Sequence, residues 1–284
     1  MTFSTLVSVD DVETHLFDPA WCVVDCRHEL SDFSAGAKAY REGHIPGAVF
    51  AGVEDQLSGP KTGRNGRHPL PEREALVALL RAWGVRNDTQ LVAYDAHAGH
   101  FAARLWWLAR WLGHVKVAVL DGGWPAWIAK TRWSSVTTLE RNRAGTFVAG
   151  ASLAATVGAD GVLATRGTGR NLLVDARAPE RYRGEMEPID PIAGHIPGAV
   201  NRFWQDNTNN GRFKAAPALR AEFDALLQGR AANEVVHQCG SGVTACHHVL
   251  AMEIAGLPGS ALYPGSWSEW IADPSRPIVT GANP

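Results

Sequence analysis

Glu234-Val235-Val236-His237-Gln238-Cys239-Gly240-Ser241-Gly242-Val243-Thr244-Ala245 is the stretch on which the reading of this 284-residue chain turns. The apolar run at 234–238 predicts a buried strand, the glycines a tight loop, and residues 243–255 a helix. A thiol at such a strand end faces the N–H groups of a helix start, whose partial positive charge favours the thiolate. Gly240 and Gly242 let the loop curl into a nest, with the amides of Val243 and Thr244 completing an anion cradle. A buried, inert cysteine is the plainer alternative. The loop chemistry favours a nucleophile at Cys239.

Working outward, the same surroundings occur twice. Val23-Val24-Asp25-Cys26-Arg27 returns as Leu173-Val174-Asp175-Ala176-Arg177, and Gly43-His44-Ile45-Pro46-Gly47-Ala48 as Gly194-His195-Ile196-Pro197-Gly198-Ala199. Leu91-Val92-Ala93-Tyr94-Asp95 lies against Val235 to Cys239, and Gly122-Gly123-Trp124 against Gly265-Ser266-Trp267. Four blocks in one order, about 150 residues apart, mean a duplicated domain, because solenoid repeats run only about 20–50 residues. In each copy strand-like runs (21–25, 90–95, 115–120; 172–175, 234–238, 261–263) alternate with helical ones (72–83, 100–112; 216–228, 243–255). This alternation predicts two α/β domains, each with a mainly parallel sheet flanked by helices. The expected division is 1–135, a linker at 136–156 that includes Arg141-Asn142-Arg143, and 157–284.

Composition narrows the class. A formal net charge of −2 offers no basic field for nucleic acid and no polybasic membrane patch. No apolar run nears the roughly 18 residues of a membrane span, and no signal segment is evident, so a cytoplasmic location is expected. Cys22, Cys26, Cys239 and Cys246 are too few and too scattered for a disulfide scaffold or a zinc site. No metal and no organic cofactor is expected.

The repeat also acts as a control. Asp25 with Arg27 and Asp175 with Arg177 occur in both copies and read as structural ion pairs; His44 and His195 read as turn and packing residues, Trp124 and Trp267 as core anchors. The positions that differ carry the chemistry. Asp95 stands where Cys239 stands, and Asp32-Phe33 is set against Arg181-Tyr182, which makes Arg181 a candidate ligand for a substrate anion.

The Asp-x-Arg, Gly-His-Ile-Pro-Gly-Ala, cysteine-loop and Gly-x-Trp blocks together resemble the two-domain rhodanese family across nearly the whole chain. The resemblance implies a sulfurtransferase: Cys239 would take a sulfur from a small anionic donor as a persulfide. A thiol or cyanide would then accept it, a thioredoxin-like protein being one candidate acceptor. The loop Cys-Gly-Ser-Gly-Val-Thr is similar to that of 3-mercaptopyruvate enzymes rather than to the Cys-Arg-Lys-Gly loop of thiosulfate enzymes. By the same resemblance Ser241 and His68, with Glu54 or Asp55 as the acid, would form a proton relay. A second arginine is expected near Ile189 or Asp190, where none stands; Arg183 is a possible substitute. Thiosulfate therefore stays open as the donor, and a non-catalytic carrier or interaction module is the alternative of another class. A cysteine phosphatase would need Cys-x5-Arg, and Ala245 occupies that arginine position. Cys246 is too far along the helix from Cys239 to form a Cys-x-x-Cys redox pair.

Overall fold

The computed structural model describes residues 2–137 and 144–284. Two compact units result: one comprises 1–59, 70–153 and 210–213, the other 60–69, 154–209 and 214–284. The excursion Pro60–Pro69 thus leaves the first half of the chain to become part of the second unit.

Each unit is built on a five-stranded sheet whose described pairings are all parallel. In the first, β1 (Leu6–Val7), β2 (Trp21–Asp25), β3 (Val49–Phe50), β4 (Gln90–Tyr94) and β5 (Val117–Leu120) lie in the order β1-β5-β4-β2-β3. In the second, β6 (Ala155–Thr156), β7 (Leu172–Asp175), β8 (Ala199–Asn201), β9 (Val235–Gln238) and β10 (Ala261–Leu262) lie in the order β6-β10-β9-β7-β8. Central strands β2, β4, β7 and β9 are buried along their whole length, which is why they read as continuous Val- and Leu-rich runs without alternation. The first sheet packs helices α1 (Val9–Thr14), α2 (Ala35–Glu42), α3 (Arg73–Ala82), α4 (Ala102–Trp111) and α5 (Gly123–Thr131); the second packs α6 (Ala159–Thr165), α7 (Pro179–Tyr182), α8 (Ala216–Leu227), α9 (Ala245–Ile254) and α10 (Ser266–Trp270). Trp127 anchors the first core, Trp267 and Trp270 the second; all three are fully buried.

The duplicated blocks do one structural job twice. Arg27 donates from Nε and Nη2 to the Asp25 carboxylate, and from Nη2 to the Gly43 carbonyl at 2.6 Å. Arg177 does the same with Asp175 and with the Gly194 carbonyl at 2.8 Å. Each guanidinium lies over an indole, Trp124 at 4.6 Å and Trp267 at 4.8 Å from the ring centroid. The buried charge is thereby matched on every side, as a buried ion pair requires. His44 and His195 are fully buried, with Nδ1 against the carbonyls of Tyr40 and Tyr182.

This last pairing corrects the match of Asp32-Phe33 to Arg181-Tyr182. Tyr40 donates to the Ala48 carbonyl and stacks on His44; Tyr182 donates to the Ala199 carbonyl and stacks on His195. Tyr182 is therefore the counterpart of Tyr40, and Arg181 that of Ala39. Insertions on opposite sides of the tyrosine mislead an alignment by spacing. Of the expected linker, residues 138–143 lie outside the described residues. Gly145, Phe147, Gly150 and Leu153 hydrogen-bond along the first unit, to Arg81, Val85, Leu112 and Arg110 carbonyls.

Candidate active site

Cys239 leaves the carboxyl end of β9, where ligands bind in a parallel sheet. Its N–H donates to Ser266 Oγ at 3.1 Å, and its carbonyl accepts from Trp267 N at 3.0 Å. The next carbonyl, of Gly240, accepts from Ser268 N at 2.9 Å. With these carbonyls tied to α10, Gly242 N–H donates to Cys239 Sγ at 3.2 Å. Gly242 has φ +79°, and a Cβ there would stand 2.0 Å from the Pro264 carbonyl oxygen, so only glycine fits. Cys246 Sγ, one turn into the loop–helix junction, lies 3.3 Å from the Gly242 carbonyl. Val243 is buried and Thr244 precedes the first residue of α9, so the loop runs directly into the helix start.

The first unit shows what such a loop holds. Asp95, fully buried at the site equivalent to Cys239, accepts four backbone N–H bonds, from His97, Gly99, Phe101 and Ala102, at 2.7–3.0 Å. Its carbonyl accepts from Trp124 N, as that of Cys239 does from Trp267 N. A carboxylate built into the chain occupies that anion cradle.

His68 Nδ1 lies 2.7 Å from Ser241 Oγ, both side chains being buried. His68 reaches Ser241 because the 60–69 excursion belongs to this unit: Arg67 N donates to Ser268 Oγ at 3.0 Å. Glu54 and Asp55 lie in the first unit, where Glu54 Oε1 is 4.0 Å from His28 Nε2.

Arg181 extends from α7 and is held by Glu187 (Nη2–Oε1 2.7 Å) and Asp190 (Nη2–Oδ2 3.2 Å). Burial raises the Glu187 carboxyl, but the Arg181 hydrogen bonds and the amides of Asp190 and Ile189 outweigh it, so it stays ionised below the usual range. Arg183 does not replace the missing second arginine. It is spent on the surface, against Glu185 and Glu180. Sequence reasoning missed Arg67. Its Nη1 pairs with Asp190, and its Nη2 would stand 2.9 Å from a Cβ on Gly240, with Arg181 Nη2 at 3.4 Å. A guanidinium thus reaches the cysteine loop from the neighbour of His68, and a carboxylate stands where an arginine was expected. The signal was the glycine before it: Gly66, at φ +82°, is pressed against the Gly265 carbonyl, which brings this stretch to α10. Ser266, at φ +53°, was also missed; its counterpart Gly123 has the same φ. A cleft of about 330 Å³ opens alongside, lined by Lys61, Arg67, Asp190, Pro191, Ser268 and Ile271 among others. Among the described residues no group of three or more His, Cys, Asp or Glu is placed to hold a metal ion, and no helix is long and apolar enough to cross a membrane.

Comparison with known proteins agrees with this fold. The rhodanese-like domain family matches residues 8–130 and again 159–273. A Pseudomonas aeruginosa protein named as a probable 3-mercaptopyruvate sulfurtransferase is 47% identical over 285 residues, covering 99% of this chain and 100% of its own. SseB of Mycobacterium tuberculosis, named as a putative thiosulfate sulfurtransferase, is 39% identical over 273 residues, 91% of this chain and 90% of its own. The crystal structure of SseA from Escherichia coli, a 3-mercaptopyruvate sulfotransferase, superposes with a TM-score of 0.80 at 31% identity, over 93% of this chain and 99% of that one. With both halves matched and full-length relatives on either side of the donor question, the chain belongs to the rhodanese family of two-domain sulfurtransferases.

Proposed function

We propose that the protein is a 3-mercaptopyruvate sulfurtransferase with Cys239 as the sulfur carrier, working from its second domain. The Cys239 thiolate attacks the donor's sulfur; an S–S bond forms, the C–S bond breaks, and the electron pair passes to the methylene carbon. The donor's thiol proton is returned to that carbon, giving pyruvate and a Cys239 persulfide anion. Ser241 and His68, 2.7 Å apart, are the groups placed to carry the proton. The loop amides that hold the thiolate then hold the terminal sulfur anion, as the first unit's loop holds the Asp95 carboxylate. A thiol or cyanide completes the cycle by attacking the outer sulfur, with Cys239 thiolate leaving. Arg181 binds the donor carboxylate.

The observation that carries the donor assignment is the proton-bearing pair beside the loop. Transfer from thiosulfate expels sulfite and needs no proton, whereas transfer from mercaptopyruvate must protonate carbon. The 47% identity to the Pseudomonas aeruginosa protein supports the same donor. Thiosulfate is the second reading, favoured by the likeness to SseB. Kinetics with the two donors side by side test it: a higher kcat/KM for 3-mercaptopyruvate supports the proposal, and a preference for thiosulfate overturns it.

A further inference from the structure

Asp190 is a buried carboxylate, its side chain 2% exposed, shared by two guanidiniums: Oδ1 pairs with Arg67 Nη1 and Oδ2 accepts from Arg181 Nη2 at 3.2 Å. The far ends of both guanidiniums meet at Gly240, the residue after Cys239. Behind them the charges continue to alternate. Glu187 pairs with Arg181 and, at 3.4 Å, with Arg177, which pairs with Asp175. Three guanidiniums are thus matched by three carboxylates, and the cationic face over the loop is already neutralised from behind. A glycine at 240 is what admits both arginines, since a Cβ would meet Arg67 Nη2 at 2.9 Å.

We propose that Asp190, held between Arg67 and Arg181 beside the cysteine loop, sets the charge of this guanidinium pair so that monoanionic donors are selected over dianionic ones. The inference rests on the reading of Cys239 as sulfur carrier. Asp190 acts as a positioning residue: it spreads the two guanidiniums on its two oxygens and cancels one positive charge. A carboxylate monoanion is satisfied by the remaining N–H groups. A dianion such as thiosulfate would need the charge that Asp190 removes, and in a buried site that difference is weakly screened. Arg67 also lines the adjoining cleft with Lys61 and Ser268, so the pair lies at the edge of a space open to ligand.

The test is steady-state kinetics of the full chain with thiosulfate and with 3-mercaptopyruvate as probes, beside single-turnover sulfur loading read by intact mass. Asp190→Asn keeps one hydrogen-bond acceptor and removes the charge. It is expected to raise the thiosulfate-to-mercaptopyruvate ratio of kcat/KM about tenfold, mainly through a lower KM for thiosulfate. Arg67→Gln is expected to move the ratio the other way, about tenfold, and to raise KM for both donors while changing kcat less. A purely structural role would lower both donors together. A ratio within about twofold of the parent's in Asp190→Asn would overturn the proposal; should that variant fail to fold, Asp190→Ser carries the same test. Parent protein that gains no sulfur from either donor would instead bring down the sulfur-carrier reading itself, and the same mass spectra distinguish that failure.

Discussion

At the level of single residues, the site separates what reacts from what holds it. In the proposed mechanism Ser241 and His68 carry the proton, so their removal should hurt the donor that needs one. Loading from 3-mercaptopyruvate is predicted to fall about 10²- to 10⁴-fold in His68→Gln, with thiosulfate loading much less affected. Equal losses with both donors would contradict the relay. Gly242 belongs to the scaffold. Gly242→Ala forces a Cβ onto the Pro264 carbonyl at a positive φ, at a cost of about 1–3 kcal/mol in backbone strain before the clash is counted. A lowered melting temperature together with lost loading is expected, and a parent-like variant would show the loop to be pliable. Cys239 could be picked out beforehand from its strand–glycine–helix passage, Ser241 and His68 only through the family resemblance, and Arg181 from a half-to-half match that the structure realigns to Ala39. Arg67 and Asp190 could not: they meet in an ion pair between residues 123 apart in sequence, which no local pattern encodes.

Among the elements, β9 and α9 carry an acid-sensitive core beneath the site. His237 on β9 is pushed down to about 3 by burial and by the nearby Arg202 charge. His248 on α9 is lowered in the same way, by burial and then by His237 and Arg202. In the unfolded chain these imidazoles titrate near 6.5. Between that value and the depressed folded value the unfolded state binds more protons, so stability is complete above about pH 6.5 and is lost as pH falls toward 3. Each histidine contributes a slope of up to about 1.4 kcal/mol per pH unit in that window. Urea unfolding at pH 7 and pH 5 should show the loss, and His237→Asn should flatten it; an unchanged slope would remove His237 from the account. The central elements were legible as continuous buried runs and shifted by only a residue or two at their ends. The two-residue edge strands β1, β3 and β6 and the four-residue α7 were not. They are too short to show a period, and tertiary pairing alone forms them.

Over the whole molecule, the duplication sets a loop that holds a built-in carboxylate, Asp95, against one that presents the Cys239 thiol. Asp95→Ala removes a buried carboxylate that accepts four backbone N–H bonds and should destabilise the first unit by about 3 kcal/mol or more. Sulfur loading at Cys239 at a temperature where the variant is folded should remain close to that of the parent. A large loss there would mean that the two loops are not separate in function. The tandem α/β architecture was readable from the repeated blocks alone, and so was its family. What the repeat concealed is that the halves are not self-contained: Pro60–Pro69 belongs to the second unit and brings it His68 and Arg67. The central claim is that Cys239 carries the transferred sulfur, and intact mass after exposure to 3-mercaptopyruvate tests it most directly. The account predicts a gain of about 32 Da, one sulfur, in the parent chain and none in Cys239→Ser. The same gain in Cys239→Ser would contradict it.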